Sequence, residues 1–207
     1  QVTWITHNRR EARNPLNLPM CHALRETFAR LDADADVRVV MLSAAGPAFC
    51  AGADLKERKG RDEAWVRARR IASFSAYEAI ERCRKPVVAL VHGPLVGSGG
   101  EIAMSCDFIV AADDATFRFP EPQWGTVGAT QRLQRVIGRQ RAKELLFTGR
   151  VMHAEEALRV GLVARVVDLK HADSRPFVDC GELIEPLSRT WNAFEELDIH
   201  LQPVTWL

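Results

Sequence analysis

Two glycine-containing turns, Phe49-Cys50-Ala51-Gly52-Ala53-Asp54-Leu55-Lys56-Glu57 and Gly97-Ser98-Gly99-Gly100-Glu101, each follow an apolar, strand-like run. Two such turns can aim two backbone N–H groups at one point. A carbonyl oxygen placed there is polarised, and negative charge developing on it meets donors already oriented, an arrangement worth roughly 3 kcal/mol per donor. Glu101 stands directly after the second turn, and Glu121 follows in Phe119-Pro120-Glu121. Carboxyl groups tuned by their surroundings can take a proton from water or give one to carbon. Two of them beside two oriented N–H groups form a set suited to chemistry next to a thioester or ester carbonyl.

Each part also has an ordinary reading. Gly97-Ser98-Gly99-Gly100 can be a plain strand-to-helix turn, Glu101 a first-turn glutamate facing a helix dipole, and Glu121 a loop carboxylate. Asp54 reads as a helix N-cap. Cys50 and Cys106 read as small core residues, and His92 and His153 have no partners at metal-ligand spacing, so no metal site is expected. It is the joint occurrence of turns and carboxylates that favours chemistry. A serine hydrolase using Ser98 is a competing class, but the G-x-S-x-G elbow is absent and the nearest downstream histidine is His153.

The elements that must hold these residues alternate in type. Strands are expected over 2–6, 37–42, 87–91, 108–111 and 162–167, where short apolar runs are bounded by breakers such as Lys85-Pro86. Helices are expected over 65–81, 101–106, 140–147, 154–160 and 182–197, and around Met20, Leu24, Phe28 and Leu31, whose spacing marks one helical face. Strands alternating with helices argue an α/β fold with mostly parallel strands. The expected organisation is a core domain over 1–168 and a partly helical tail over 169–207.

The 207 residues suit one domain, and 28 basic against 27 acidic residues leave no overall field to draw nucleic acid or an anionic membrane. Arg58, Lys59, Arg61, Arg67, Arg69 and Arg70 form a basic segment, readable either as a solvated helix face or as an attractor of phosphate groups. Cys21, Cys50, Cys83, Cys106 and Cys180 show neither an even count nor C-x-x-C spacing, which favours a reducing intracellular compartment over a disulfide framework. No apolar run approaches the roughly 18 residues of a membrane span.

Six stretches carry a resemblance to a known family: Asn8-Arg9-Arg10-Glu11-Ala12-Arg13-Asn14, the two turns with their flanks, Phe119-Pro120-Glu121, Thr130-Gln131-Arg132-Leu133 and Phe147-Thr148-Gly149-Arg150. In this order they resemble the enoyl-CoA hydratase/isomerase, or crotonase, superfamily. The resemblance implies a spiral of β-β-α turns with a C-terminal helical region, assembled as a trimer or a dimer of trimers. It implies an acyl-CoA thioester as substrate, with coenzyme A part of the substrate and no separate cofactor. The residues matching the oxyanion donors are Ala53 and Ser98, acting through backbone N–H groups. The residue matching Glu101 helps to hold and activate water, and the one matching Glu121 delivers a proton to the α-carbon. Ala12, Arg13, Ala51, Asp54 and Leu55 match the coenzyme A-contacting backbone.

With both carboxylates present, the expected reaction is hydration of a 2-enoyl-CoA. The alternatives are an enoyl-CoA isomerase and a non-catalytic or divergent acyl-CoA binder. RNA binding, known in a few relatives through a lysine-rich helix, is not expected, since the matching helix carries only Arg25 and Arg30. The compartment expected is the cytoplasm in a bacterium and the mitochondrial matrix in a eukaryote.

Three features depart from the family pattern. Ser98 stands where most relatives have glycine. The segment from Gly125 to Thr130 is shorter than the family's loop, and residues are expected to be missing between Val127 and Gly128. The tail after Asp168 is expected to have no match in the family, which usually continues there with further helices.

Overall fold

A computed structural model describes residues 1–168. The expected helix over 182–197 and the tail after 168 lie outside the described residues. The main sheet has five parallel strands in the order β1 (Val2–His7), β2 (Val39–Ala44), β3 (Val87–Val91), β5 (Phe108–Ala112) and β8 (Arg165–Val167). Strands β2 and β3 are buried along their whole length, as parallel strands covered on both faces must be.

One face of the sheet, carrying Val40, Leu42, Val87, Ala89 and Val91, packs in the same core as α1 (Leu18–Ala33) and α3 (Glu63–Glu81). Helix α1 starts where the side chain of Asn17 accepts from the Met20 N–H, and it buries Cys21, Leu24, Phe28 and Leu31 at helical spacing. Helix α3 starts where Asp62 accepts from the Trp65 N–H, two residues earlier than the apolar pattern suggested. Its inward face carries polar groups, Arg69, Ser73 and Tyr77, among the apolar Ala76 and Ile80.

A second sheet of three strands, β4 (Pro94–Val96), β6 (Thr116–Arg118) and β7 (Val151–His153), was not expected from the sequence. Strand β4 runs parallel to β6, and β7 antiparallel to it. The two sheets are threaded in alternation, β3 then β4 and β5 then β6, so each passage crosses from the main sheet to the small one. The fold is therefore α/β with a mostly parallel central sheet, as expected.

Short helices complete the described residues: α2 (Leu55–Arg58), α4 (Ser98–Met104), α5 (Arg132–Ile137), α6 (Arg139–Thr148) and α7 (Ala154–Arg159). Helix α4 begins at Ser98 and not at Glu101, so Glu101 lies inside its first turn. Strand β8 begins only at Arg165, because the Leu162 and Val163 N–H groups bond back to the Ala157 carbonyl and keep the chain in a turn.

Candidate active site

The small sheet places the two carboxylates. Strand β4 runs into Gly97 and α4, which carries Glu101; β6 runs into Phe119, Pro120 and a single 3-10 turn, Glu121–Trp124. The Gly97 N–H donates to the Arg118 carbonyl at 2.9 Å, so the ends of these neighbouring strands are tied together. Gly97 sits at φ 49, the left-handed region that lets the chain turn sharply from β4 into the helix.

The first turn is held against the second by an isolated parallel bridge between Cys50 and Leu95, and a further bridge ties Ala53 to Leu16. Around that further bridge the Leu16 N–H donates to the Gly52 carbonyl at 2.8 Å, and the Asp54 N–H donates to the Leu16 carbonyl at 2.9 Å. Alternation along an extended strand then turns the Ala53 N–H away from Leu16. Ser98 is the first residue of α4, where a helix leaves its N–H groups without an internal acceptor. Among the described residues neither N–H has a backbone partner. Both residues line one cavity of about 250 Å³, together with Glu101, Glu121, Ala51 and Leu55.

The remaining expected contacts sit beside this cavity. The Arg13 carbonyl accepts from the Ala51 N–H at 3.0 Å, so the exposed residues Ala12 and Arg13 abut the first turn without lining the cavity. Asp54 is the N-cap of α2, accepting from the Lys56 N–H at 3.1 Å, and is also ion-paired with Arg9 at 2.9 Å. Of the basic segment, Arg58, Arg69 and Arg70 reach the cavity wall. Arg69 is buried and committed to the fold, pairing with Glu57 at 2.8 Å and donating to Ser73 and to the Leu16 carbonyl. Arg61 stacks over Trp65 at 5.1 Å instead.

The two carboxyl groups have opposed surroundings. Glu101 accepts from the Ala129 N–H on one oxygen and from Arg132 Nη1 at 2.9 Å on the other. Both oxygens serve as acceptors, the pattern of an ionised carboxylate. Ala129 holds φ 55, an unfavourable conformation for a residue with a Cβ, at the point where its N–H meets Glu101.

Glu121 is equally buried, but neither of its oxygens has a hydrogen-bond partner among the described residues. Burial, with the Glu101 charge adding to it, pushes its carboxyl up to about 7. A buried polar group with no partner is the kind of unused bonding capacity that a substrate or water can fill.

Glu121 fits there because glycine lies against it. A Cβ on Gly97 would stand 3.1 Å from Glu121 Oε1, and one on Gly128 would stand 2.7 Å away. Gly128 lacks a left-handed φ, so the obstacle to a side chain is the carboxyl group and not the backbone. Gly128→Ala is therefore expected to fold and to displace the Glu121 carboxyl. The hydration expected from the sequence should then fall about 10²-fold, the usual effect of an ångström-scale misplacement. Steady-state turnover beside a circular dichroism spectrum checks it; unchanged turnover would remove Glu121 from the chemistry.

Other reactive groups are quiet. Burial raises the thiol of Cys50 to about 11 and that of Cys106 well above its ordinary value, in keeping with small core residues. No histidine lines the cavity, so Ser98 has no imidazole base there among the described residues. No cluster of metal-ligating side chains occurs among them either, and no helix among them is long and apolar enough to cross a membrane. Sequence reasoning gave no role to Arg132, Ala129, Tyr77 or Gly128. Arg132 stands in the family-like stretch Thr130-Gln131-Arg132-Leu133, but nothing in its spacing pointed to Glu101.

The sequence profile described as enoyl-CoA hydratase/isomerase matches residues 1–192 and so runs past Asp168, where the resemblance was expected to end. A probable enoyl-CoA hydratase of Rhizobium meliloti (strain 1021) is 41% identical over 170 residues, covering 81% of this chain and 65% of that protein. The human mitochondrial Delta(3,5)-Delta(2,4)-dienoyl-CoA isomerase is 41% identical over 180 residues, covering 80% of this chain and 55% of that protein. The chain thus spans less than two thirds of the length of these curated relatives. Among solved structures, the enoyl-CoA hydratase from Bacillus anthracis superposes with a TM-score of 0.80 at 35% identity, covering 92% of this chain and 72% of that one.

Proposed function

Because the chain belongs to the enoyl-CoA hydratase/isomerase family, we propose that the protein adds water across the double bond of a 2-enoyl-CoA thioester. The observation that carries this reading is the pair of buried carboxyl groups in one cavity, Glu101 as an acceptor on both oxygens and Glu121 without a hydrogen-bond partner among the described residues and raised to about 7. Hydration needs both a base and an acid. A group with a pKa near the working pH serves best as a proton donor that must also be reloaded.

The Ala53 and Ser98 N–H groups bond the thioester oxygen. Water loses a proton to Glu101 as its oxygen bonds to C3, and the π pair of the C2–C3 double bond moves onto the thioester as an enolate. That charge meets the two N–H groups, whose hydrogen bonds strengthen in the transition state. C2 then takes a proton from Glu121. The pair is reset when the proton on Glu101 passes to Glu121. Coenzyme A enters as part of the substrate, and the mechanism asks for no separate cofactor.

Assembly as a trimer or a dimer of trimers belongs to the same proposal and is checked by light scattering on the eluting protein. The primary test is loss of enone absorbance with crotonyl-CoA. Hydration supports the reading, whereas saturable binding with no turnover of any 2-enoyl-CoA would replace it with a non-catalytic binder. The similarity to a dienoyl-CoA isomerase favours one further arm, a substrate with a displaced double bond, since double-bond migration without water uptake would make the protein an isomerase.

Ser98 provides a second check, because only its N–H is used. Ser98→Gly is expected to keep or raise hydration, and Ser98→Ala to stay within about tenfold of the parent, well short of the loss expected for a nucleophile. Abolished turnover in Ser98→Ala, or covalent capture of Ser98 by a fluorophosphonate, would move the reading to a hydrolase.

A further inference from the structure

Building on the hydration reading, we infer that Arg132 is a positioning residue that fixes the Glu101 carboxylate for attack by water and anchors it through Glu81 to the end of α3. Arg132 Nη1 donates to Glu101 Oε2 at 2.9 Å, Nη2 donates to Glu81 Oε2 at 2.5 Å, and Cζ lies 5.7 Å from the centroid of the Tyr77 ring. One guanidinium thereby joins three helices, at the last residue of α3, the first turn of α4 and the first residue of α5.

Local preference argues against an arginine here. The N-terminus of a helix carries partial positive charge, so a cation at the first position of α5 is mildly unfavourable where it stands. Residues that break a local rule without helping their own element tend to serve a site. The gain here lies across the cavity wall. Glu101 is buried, and an isolated carboxylate there would be strongly disfavoured. Arg132 compensates the charge on one oxygen while the Ala129 N–H fixes the other, leaving the carboxylate few other orientations.

The planar fork explains why arginine does this. A guanidinium presents N–H groups toward two carboxylates at once in a fixed geometry, whereas an ammonium is a single point. Glu81, more exposed than Glu101, holds the far side of the fork. The charged and titratable groups around the pair are Glu121 from the 3-10 turn, Tyr77 and Glu81 from α3, and Arg132 itself. Among these, Arg132 is the cation bonded to Glu101.

The test compares Arg132→Met, Arg132→Lys and Glu81→Gln with the parent on crotonyl-CoA across pH, with circular dichroism and thermal melting as checks on folding. If Arg132 positions Glu101, Arg132→Met lowers kcat about 10²-fold with KM nearly unchanged. The acidic limb of its pH profile also moves to higher pH, because a buried carboxylate stripped of its cation holds a proton more tightly. Arg132→Lys should recover part of the rate and return the limb toward its parent position. Glu81→Gln should lower kcat several-fold with KM unchanged. A folded Arg132→Met with parental kcat and an unmoved limb would overturn the inference, as would a loss confined to KM. If Arg132→Met does not fold, parental kcat in both Arg132→Lys and Glu81→Gln overturns it instead. Failure of the parent to hydrate any 2-enoyl-CoA is a separate result, and it removes the hydration reading itself.

Discussion

Glu101→Gln and Glu121→Gln are each expected to lower the turnover of 2-enoyl-CoA hydration by roughly 10²–10⁴-fold, the range that positioned acid–base groups contribute. The two variants should fail for different reasons. Glutamine at 101 can still accept from the Ala129 N–H or from Arg132, but it cannot take the proton that water must lose. Whichever of the two its oxygen meets, its NH2 faces the other, a donor where an acceptor is needed. Glutamine at 121 is nearly isosteric in a space bounded by Gly97 and Gly128, so the cavity keeps its shape and loses a transferable proton. Thioester binding should change little in either case, because the Ala53 and Ser98 N–H groups belong to the backbone. Turnover and inhibition by a saturated acyl-CoA, measured side by side, separate the two effects. Near-parental turnover in either variant would break the assignment of that residue.

Much of this site was legible in the sequence, because its parts are local. Both turns announce themselves through glycine, Asp54 through its place before α2, and Glu101 and Glu121 through what precedes them. The long helices and the core strands were legible for a similar reason. Met20, Leu24, Phe28 and Leu31 repeat at helical spacing, and Val87-Val88-Ala89-Leu90-Val91 is an unbroken apolar run.

The small sheet was not legible. Each of its strands has three residues, too few to establish an alternation, and one begins with Pro94. These strands exist because the chain pairs them across large sequence distances, and that sheet is what brings Glu121 beside Glu101. Partners set by closure of the fold were equally hidden. Arg132 and Ala129 reach Glu101 from far along the chain, and Arg69 reads as one more cation in a basic run until Glu57 and the Leu16 carbonyl bury it. Polarity on the inward face of α3 is a signal that pattern reading averages away. Arg69, Ser73 and Tyr77 recur at helical spacing within an otherwise apolar stripe, and all three border the cavity.

The carboxyl proposed as proton donor should also make the fold pH-dependent. Burial raises Glu121 from an ordinary value of 4.5 to about 7, with repulsion from Glu101 adding to the effect. Below about pH 4.5 the group is protonated in both the folded and the unfolded chain, and its burial has no ionic cost. Between pH 4.5 and 7 the unfolded chain releases the proton while the folded protein keeps it, so the folded state binds more protons and stability falls as pH rises. Above pH 7 both states are ionised and the penalty is complete. Its full size is about 3 kcal/mol, since each tenfold change in proton affinity between the two states is worth roughly 1.4 kcal/mol. Glu121→Gln cannot ionise, so its stability should lack this component, and the gap between variant and parent should widen in the variant's favour by about 3 kcal/mol from roughly pH 4.5 to 8. Urea unfolding of both proteins at several pH values reads the difference directly. Parallel curves for parent and variant would mean that Glu121 titrates as an ordinary carboxylate, and the proton donor of the proposed hydration would then have to be sought elsewhere in the cavity.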